Sequence, residues 1–149
     1  MVDSRAKGAK AETDVKKVLA KYSGHGWERI PLSGALDAKH GLKGDLYIPG
    51  QTVKYCVEVK HYKDDHLTSK VLTDKNPQII EWWEQTIREA KQINKIPLLI
   101  YKFDRSKMFV AFEDMPTQMY NYITICVNDH VFHTAELNTW LKNEGPKFV

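Results

Sequence analysis

Two carboxylates and an amine fall at spacings that a β-hairpin would gather. Asp45 opens the run Asp45-Leu46-Tyr47-Ile48, Pro49-Gly50-Gln51-Thr52 makes a turn, and Val53-Lys54-Tyr55-Cys56-Val57-Glu58-Val59-Lys60 alternates apolar and polar residues. Folding about a centre between Gln51 and Thr52 sets Ile48 opposite Tyr55 and Asp45 opposite Glu58. Opposed side chains have Cβ atoms about 5 Å apart, and like charges so placed destabilise a sheet. Lys60, two residues beyond Glu58 on the same face and about 7 Å along the strand, is the nearest compensating cation. Hard oxygen ligands of this kind suit Mg²⁺, which takes one or two carboxylates and keeps several waters. A cation so held polarises a phosphate and lowers the pKa of bound water, and the lysine adds positive charge where negative charge develops. Glu12, on the first helix, could reach the same cation directly or through water.

The elements that must position these groups are legible in outline. Ala11, Val15, Val18, Leu19 and Tyr22 have helical spacing, with Glu12 on or beside the buried stripe and Lys16, Lys17 and Lys21 facing solvent. Residues 27–32 read as a short strand, and 33–44 as a loop with three glycines. Val53, Tyr55, Val57 and Val59 fall on one face of their strand, and Lys54, Cys56, Glu58 and Lys60 on the other. Residues 61–80 read as polar and irregular, a substrate loop or a lid. A helix follows from about Pro77 to Ile93, with Ile80, Trp83, Ile87 and Ala90 as its seam. Strands are expected at 96–103, 108–112, 122–127 and 131–132, with a turn at Asn128-Asp129. A last helix is expected from Ala135 to Lys142, capped by Thr134. This order is a mixed α/β pattern.

Composition bounds the function. The 149 residues are 42% hydrophobic and 28% charged, enough to build one core and too apolar for disorder. No apolar run approaches the ~18 residues of a membrane span, and the polar N-terminus has no signal-peptide core. Membrane insertion and secretion are therefore not expected. Cys56 and Cys126 form no metal-binding pattern and read as two reduced thiols. Residues 1–63 hold 12 Lys/Arg against 7 Asp/Glu, and residues 64–149 hold 10 against 12, so the net charge of +3 is concentrated in the first half. A basic half suits a polyanionic partner.

Taken in order, Glu12, Gly44-Asp45 and Glu58-Val59-Lys60 resemble the PD-(D/E)XK nuclease superfamily. More narrowly, Arg5-x-Lys7-Gly8-x3-Glu12, Ser33-Gly34, Asp45 and Val57-Glu58-Val59-Lys60 resemble the archaeal-type Holliday junction resolvases. The resemblance covers about residues 4–63, and the order of elements to about 112 is compatible with it. It departs from the motif where Gly44, not proline, precedes Asp45.

The resemblance implies a restriction-endonuclease-like core, a mixed central β-sheet flanked by helices, within a single nuclease domain over 1–149. The core would span about 4–112, with a strand and helix extension over about 115–149. It implies that Glu12, Asp45 and Glu58 bind divalent metal, Mg²⁺ with Mn²⁺ able to substitute, that Lys60 assists catalysis, and that Ser33 supports cleavage. Arg5, Lys7 and Lys10 would lie near DNA phosphates, and Arg29, Lys39, Lys43, Lys54 and Lys63 read as a phosphate-contacting rim. The expected protein is a homodimer that makes paired nicks in four-way DNA junctions, in the cytoplasm of a prokaryote or phage-infected cell. Other readings are a restriction or repair endonuclease acting on duplex or flapped DNA, and a non-catalytic junction-binding module.

Outside that constellation, Gln85 reads as solvent-facing or as bordering the site. One of Trp82 and Trp83 belongs to the core, the other being available to stack on an unpaired base or to serve a dimer interface. His130 and His133 read as surface residues, and His40 and His61 as near the site in sequence without an assigned role.

Overall fold

The computed structural model describes residues 4–31 and 42–149, residues 4–7 as backbone only. The hairpin around Asp45 and Glu58 is formed by β2 (Leu46–Tyr47) and β3 (Tyr55–Tyr62), antiparallel with Leu46 opposite Val57. That is the register read from the sequence. Strand β1 (Glu28–Arg29) pairs with the outer edge of β2.

On its other side β3 runs parallel to β4 (Ile96–Phe103), from Tyr55 beside Ile96 to Tyr62 beside Phe103. Parallel neighbours require a crossover. Residues 63–95 supply it, with a short α2 (Lys70–Thr73) and the longer α3 (Gln78–Gln92). The sheet continues through β5 (Met108–Phe112) and β7 (His130–Glu136) to β6 (Ile123–Val127), in the order β1-β2-β3-β4-β5-β7-β6. Helix α1 (Ser4–Ser23) opens the chain and α4 (Leu137–Glu144) follows β7.

Both faces of the sheet are covered, which explains the apolar run over 96–101 in β4. Leu98 and Ile100 point into a core with Val15 and Leu19 of α1 and Trp140 and Leu141 of α4. Leu99, Tyr101 and Phe103 point the other way, onto Ile79, Ile80, Trp82 and Trp83 of α3. The polar face of β3 therefore lies under α3, and Cys56 and Glu58 are buried there.

Residues 115–149 add two strands to the sheet and put Trp140 and Phe148 into the α1-side core. Several expectations need correction. The last helix begins at Leu137 with Glu136 at its N-cap. Thr134 does not cap it, because β5 holds 133–136 in the ladder and the Thr134 hydroxyl bonds to the Tyr101 hydroxyl. His133 is buried, its Nδ1 2.9 Å from Thr124 Oγ1, and is not a surface residue. Both Trp82 and Trp83 are buried, so neither is free to stack on a base. Residues 61–80 are less irregular than expected: β3 extends to Tyr62, and Leu67 and Val71 pack on the α3-side core. The Asn128-Asp129 turn stands as read, both residues having positive φ as a tight hairpin turn requires. Among the described residues no helix is long and apolar enough to cross a membrane.

Candidate active site

Asp45 lies immediately before β2, beside the edge of β3 that β2 does not cover. Its backbone N–H donates to the Val57 carbonyl at 2.7 Å, and its Oδ2 accepts from the Val59 N–H at 2.7 Å. The carboxylate thus takes the place of a missing strand acceptor, which fixes it against β3 beside Glu58.

Gly44 makes this approach possible. Its φ is +88°, and a Cβ there would stand 2.6 Å from the Val57 carbonyl oxygen. Proline, whose ring holds φ near −65°, cannot adopt that conformation. The departure from the motif at position 44 is a consequence of this backbone geometry.

Glu58 is only 3% exposed. Its carboxyl neighbours those of Asp45 on one side and Glu89 of α3 on the other, and Asp45 in turn neighbours Glu12 of α1. Four carboxyl groups, from α1, β3, α3 and the residue that precedes β2, therefore form a row. Glu12 is anchored at its outer end by an ion pair with Arg29. At the inner end Gln85 Nε2 lies 3.4 Å from Glu89 Oε1, while Glu89 Oε2 is buried with no hydrogen-bond partner.

Burial raises the Asp45 carboxyl to about 6, the Glu12 charge adding to the effect and the Val59 amide opposing it. Burial also pushes Glu58 far above the ordinary carboxylate range, helped by the hydrogen bond that its protonated form donates to Glu89 and by the charges of Asp45 and Glu89. Lys60, half-buried on the same face, opposes this only in small part. The Cys56 thiol, which donates weakly to the Lys43 carbonyl, is raised by burial beside these acids and is not a nucleophile.

The remaining candidates are more scattered. Lys10 is exposed and ion-paired with Asp14 at 2.8 Å. Arg29 is committed to Glu12. Lys43 lines a cavity of about 330 Å³ with Tyr47, Gln51 and Lys95, and Lys63 is exposed just beyond β3. Arg5 and Lys7 lie on α1 with only their backbone described, and Ser33, Lys39 and His40 lie outside the described residues. His61 pairs with Asp104 at 3.0 Å.

Glu89 was not singled out from the sequence. The signal was its position on α3, four residues after Gln85 and beside the buried Thr86 and Ala90.

The family model described as "Phage putative PDDEXK endonuclease" matches residues 3–143. The chain belongs to this family of phage PD-(D/E)XK endonucleases. It is also 41% identical over 126 residues to Protein D14 of Escherichia phage T5, covering 83% of this chain and 79% of that protein. Among solved structures it is similar to Hjc, a Holliday junction resolvase of Archaeoglobus fulgidus, at 16% identity and a TM-score of 0.41 over 88% of each chain. The mixed seven-stranded sheet with flanking helices is the α/β restriction-endonuclease-like fold of such nucleases.

Nucleases of this fold generally use divalent metal ions, and the chemistry of the donor set here fits one. The buried Glu58 and the half-buried Asp45 are carboxylates side by side with too little positive charge to balance them. A small hard cation held by one or two carboxylates and waters is the partner such a pair lacks. Among the described residues, no group of three or more His, Cys, Asp or Glu is arranged to hold a metal ion. The fit therefore rests on Asp45 and Glu58, with Glu12 turned toward Arg29.

Proposed function

We propose that this nuclease is a Mg²⁺-dependent, structure-selective endodeoxyribonuclease, a Holliday junction resolvase that works as a homodimer in the host cytoplasm. The observation that carries the hydrolytic reading is the hairpin register that puts Asp45 against Glu58, with Lys60 next along the same face. The junction reading rests on the ordered motif from Arg5 to Lys60, which resembles the archaeal-type resolvases.

In this reading Asp45 and Glu58 would hold the metal, with Glu12 of α1 reaching it directly or through water. Held there, a divalent cation would supply polarisation of the phosphate and activation of the attacking water. Lys60 presents its ammonium to the charge that builds on the scissile phosphate. Burial under α3 keeps bulk water from the inner carboxylate and strengthens these electrostatic effects. Lys10, Lys43 and Lys63 contact phosphates, as do Arg5, Lys7 and Lys39. Ser33 supports cleavage, Mn²⁺ substitutes for Mg²⁺, and residues 1–149 act as one nuclease domain.

Lys60→Ala is expected to lower the rate of Mg²⁺-dependent DNA cleavage by about 10²–10³, the usual cost of removing one group that stabilises developing charge. The loss should appear in kcat more than in KM. A variant that cuts DNA at the wild-type rate would remove Lys60 from the chemistry.

Glu89 holds Glu58 from the helix side and acts through it. Glu89→Ala is expected to lower metal affinity or activity about 10- to 100-fold, the range for residues that orient metal ligands. Calorimetric titration with Mg²⁺, beside the rate, reads this directly. A metal affinity and a rate both equal to wild type would contradict it.

A further inference from the structure

We infer that Tyr62 is a stacking platform for an unpaired or unstacked nucleobase next to the scissile phosphate, an inference that rests on the nuclease reading above. Glu58, Lys60 and Tyr62 occupy successive positions on the α3 face of β3, because side chains alternate along a strand. Exposure rises along that row, from a buried carboxylate through a half-buried ammonium to a ring that is 41% exposed. An aromatic surface therefore stands about 7 Å beyond the lysine, at the C-terminal end of the strand, with the exposed Lys63 next to it.

The ring is held as a platform. Its backing is the buried Trp82, with centroids 4.9 Å apart and planes 32° apart, and His66 packs edge-on at 5.9 Å. Trp82 is itself stacked on Phe103. The backbone is equally fixed: Tyr62 pairs with Phe103 across the parallel ladder, and its carbonyl accepts from the Asp104 N–H at 3.1 Å. A platform on a strand, backed by packed rings, is pre-organised for stacking.

The ligand that fits is a nucleobase whose face is open. In continuous duplex both faces of a base are covered by its neighbours, so the platform is useful where stacking is interrupted: at a branch point, a flap or a frayed pair. Base–aromatic stacking tolerates any sequence, because every base has a π-face. Tyr62 would thus favour branched over linear DNA without reading sequence.

The test uses the full chain with Ca²⁺ in place of Mg²⁺, a four-way DNA junction carrying 2-aminopurine at the branch point, and a linear duplex of the same sequence. Tyr62→Phe keeps the π-face, and Tyr62→Leu keeps the apolar cover over Trp82 while removing that face. Wild type and Tyr62→Phe are expected to change the 2-aminopurine fluorescence. Tyr62→Leu, with an unchanged melting temperature, should leave it unchanged and bind the junction about 10-fold or more weakly, with duplex affinity unaltered. Equal junction binding and an equal fluorescence response in Tyr62→Leu would overturn the platform while leaving the nuclease reading intact. Failure of the wild type to cut or bind any DNA would remove both.

Discussion

Glu58→Gln is expected to abolish cleavage and at the same time make the metal-free protein more stable at neutral pH. Glu58 is buried among carboxylates, and its pKa in the folded chain is far above that in the unfolded chain. A raised carboxylate pKa contributes stability fully below the unfolded value of about 4, and that contribution is lost as pH rises through the folded value. Metal-free wild type should therefore lose stability from about pH 4 upward, Asp45 adding its share up to about 6. The glutamine is uncharged throughout, so the variant should escape the part of this decline due to Glu58. At pH 7.5 the gain should be about 1–3 kcal/mol, or roughly 3–10 °C in Tm for a domain of this size. Mg²⁺ should raise the wild-type Tm and leave the variant nearly unmoved, since the cation stabilises only the chain that binds it. Thermal melts across pH, with and without Mg²⁺, check each part. A variant that melts below wild type at pH 7.5 would show that ionising the buried Glu58 does not destabilise the metal-free fold.

The second large effect is expected at Gly44. An alanine there would have to hold φ near +88° and place its Cβ 2.6 Å from a backbone carbonyl, with the Cys56 sulfur 3.2 Å away. Backbone cannot yield as a flexible side chain does, so the cost should be about 2–4 kcal/mol. Relief of the clash pushes the chain away from β3 next to Asp45. The hydrogen bond from the Val59 amide is then lost, and cleavage should fall by 10² or more, as expected for a misplaced catalytic group. Gly50, also at positive φ but with nothing near its would-be Cβ, is the control. Gly50→Ala should cost only the backbone strain of about 1–2 kcal/mol and leave cleavage intact. Equal effects at the two positions would show that the contact at Gly44 is not what holds Asp45.

Much of this site was legible because it is local. Alternation over 53–60 and the turn at 49–52 set the pairing of β2 with β3, and that pairing alone brings Asp45 to Glu58. The helix over 78–92 and the strand over 96–103 follow from seam and apolar run in the same way. What escaped the sequence depends on distant partners. Glu89 meets Glu58 only because α3 lies across β3, and nothing in the intervening residues announces that crossing. The burial of Glu58 and Cys56 has the same origin, since the polar face of β3 is covered. At 133–136, pairing with β5 overrode a helical start, burying His133 and giving Thr134 to Tyr101. Trp82 and Trp83 look alike in sequence, yet one backs Tyr62 and the other stacks on Phe132.

The most direct test of the account is cleavage of an end-labelled four-way DNA junction beside a linear duplex of the same sequence, in Mg²⁺, with Asp45→Asn in parallel. Paired symmetric nicks in the junction, absent from the duplex, lost without Mg²⁺ and lost in Asp45→Asn, are the expected result. Equal cutting of the duplex would contradict structure selectivity, and cutting that survives Asp45→Asn would contradict the site itself.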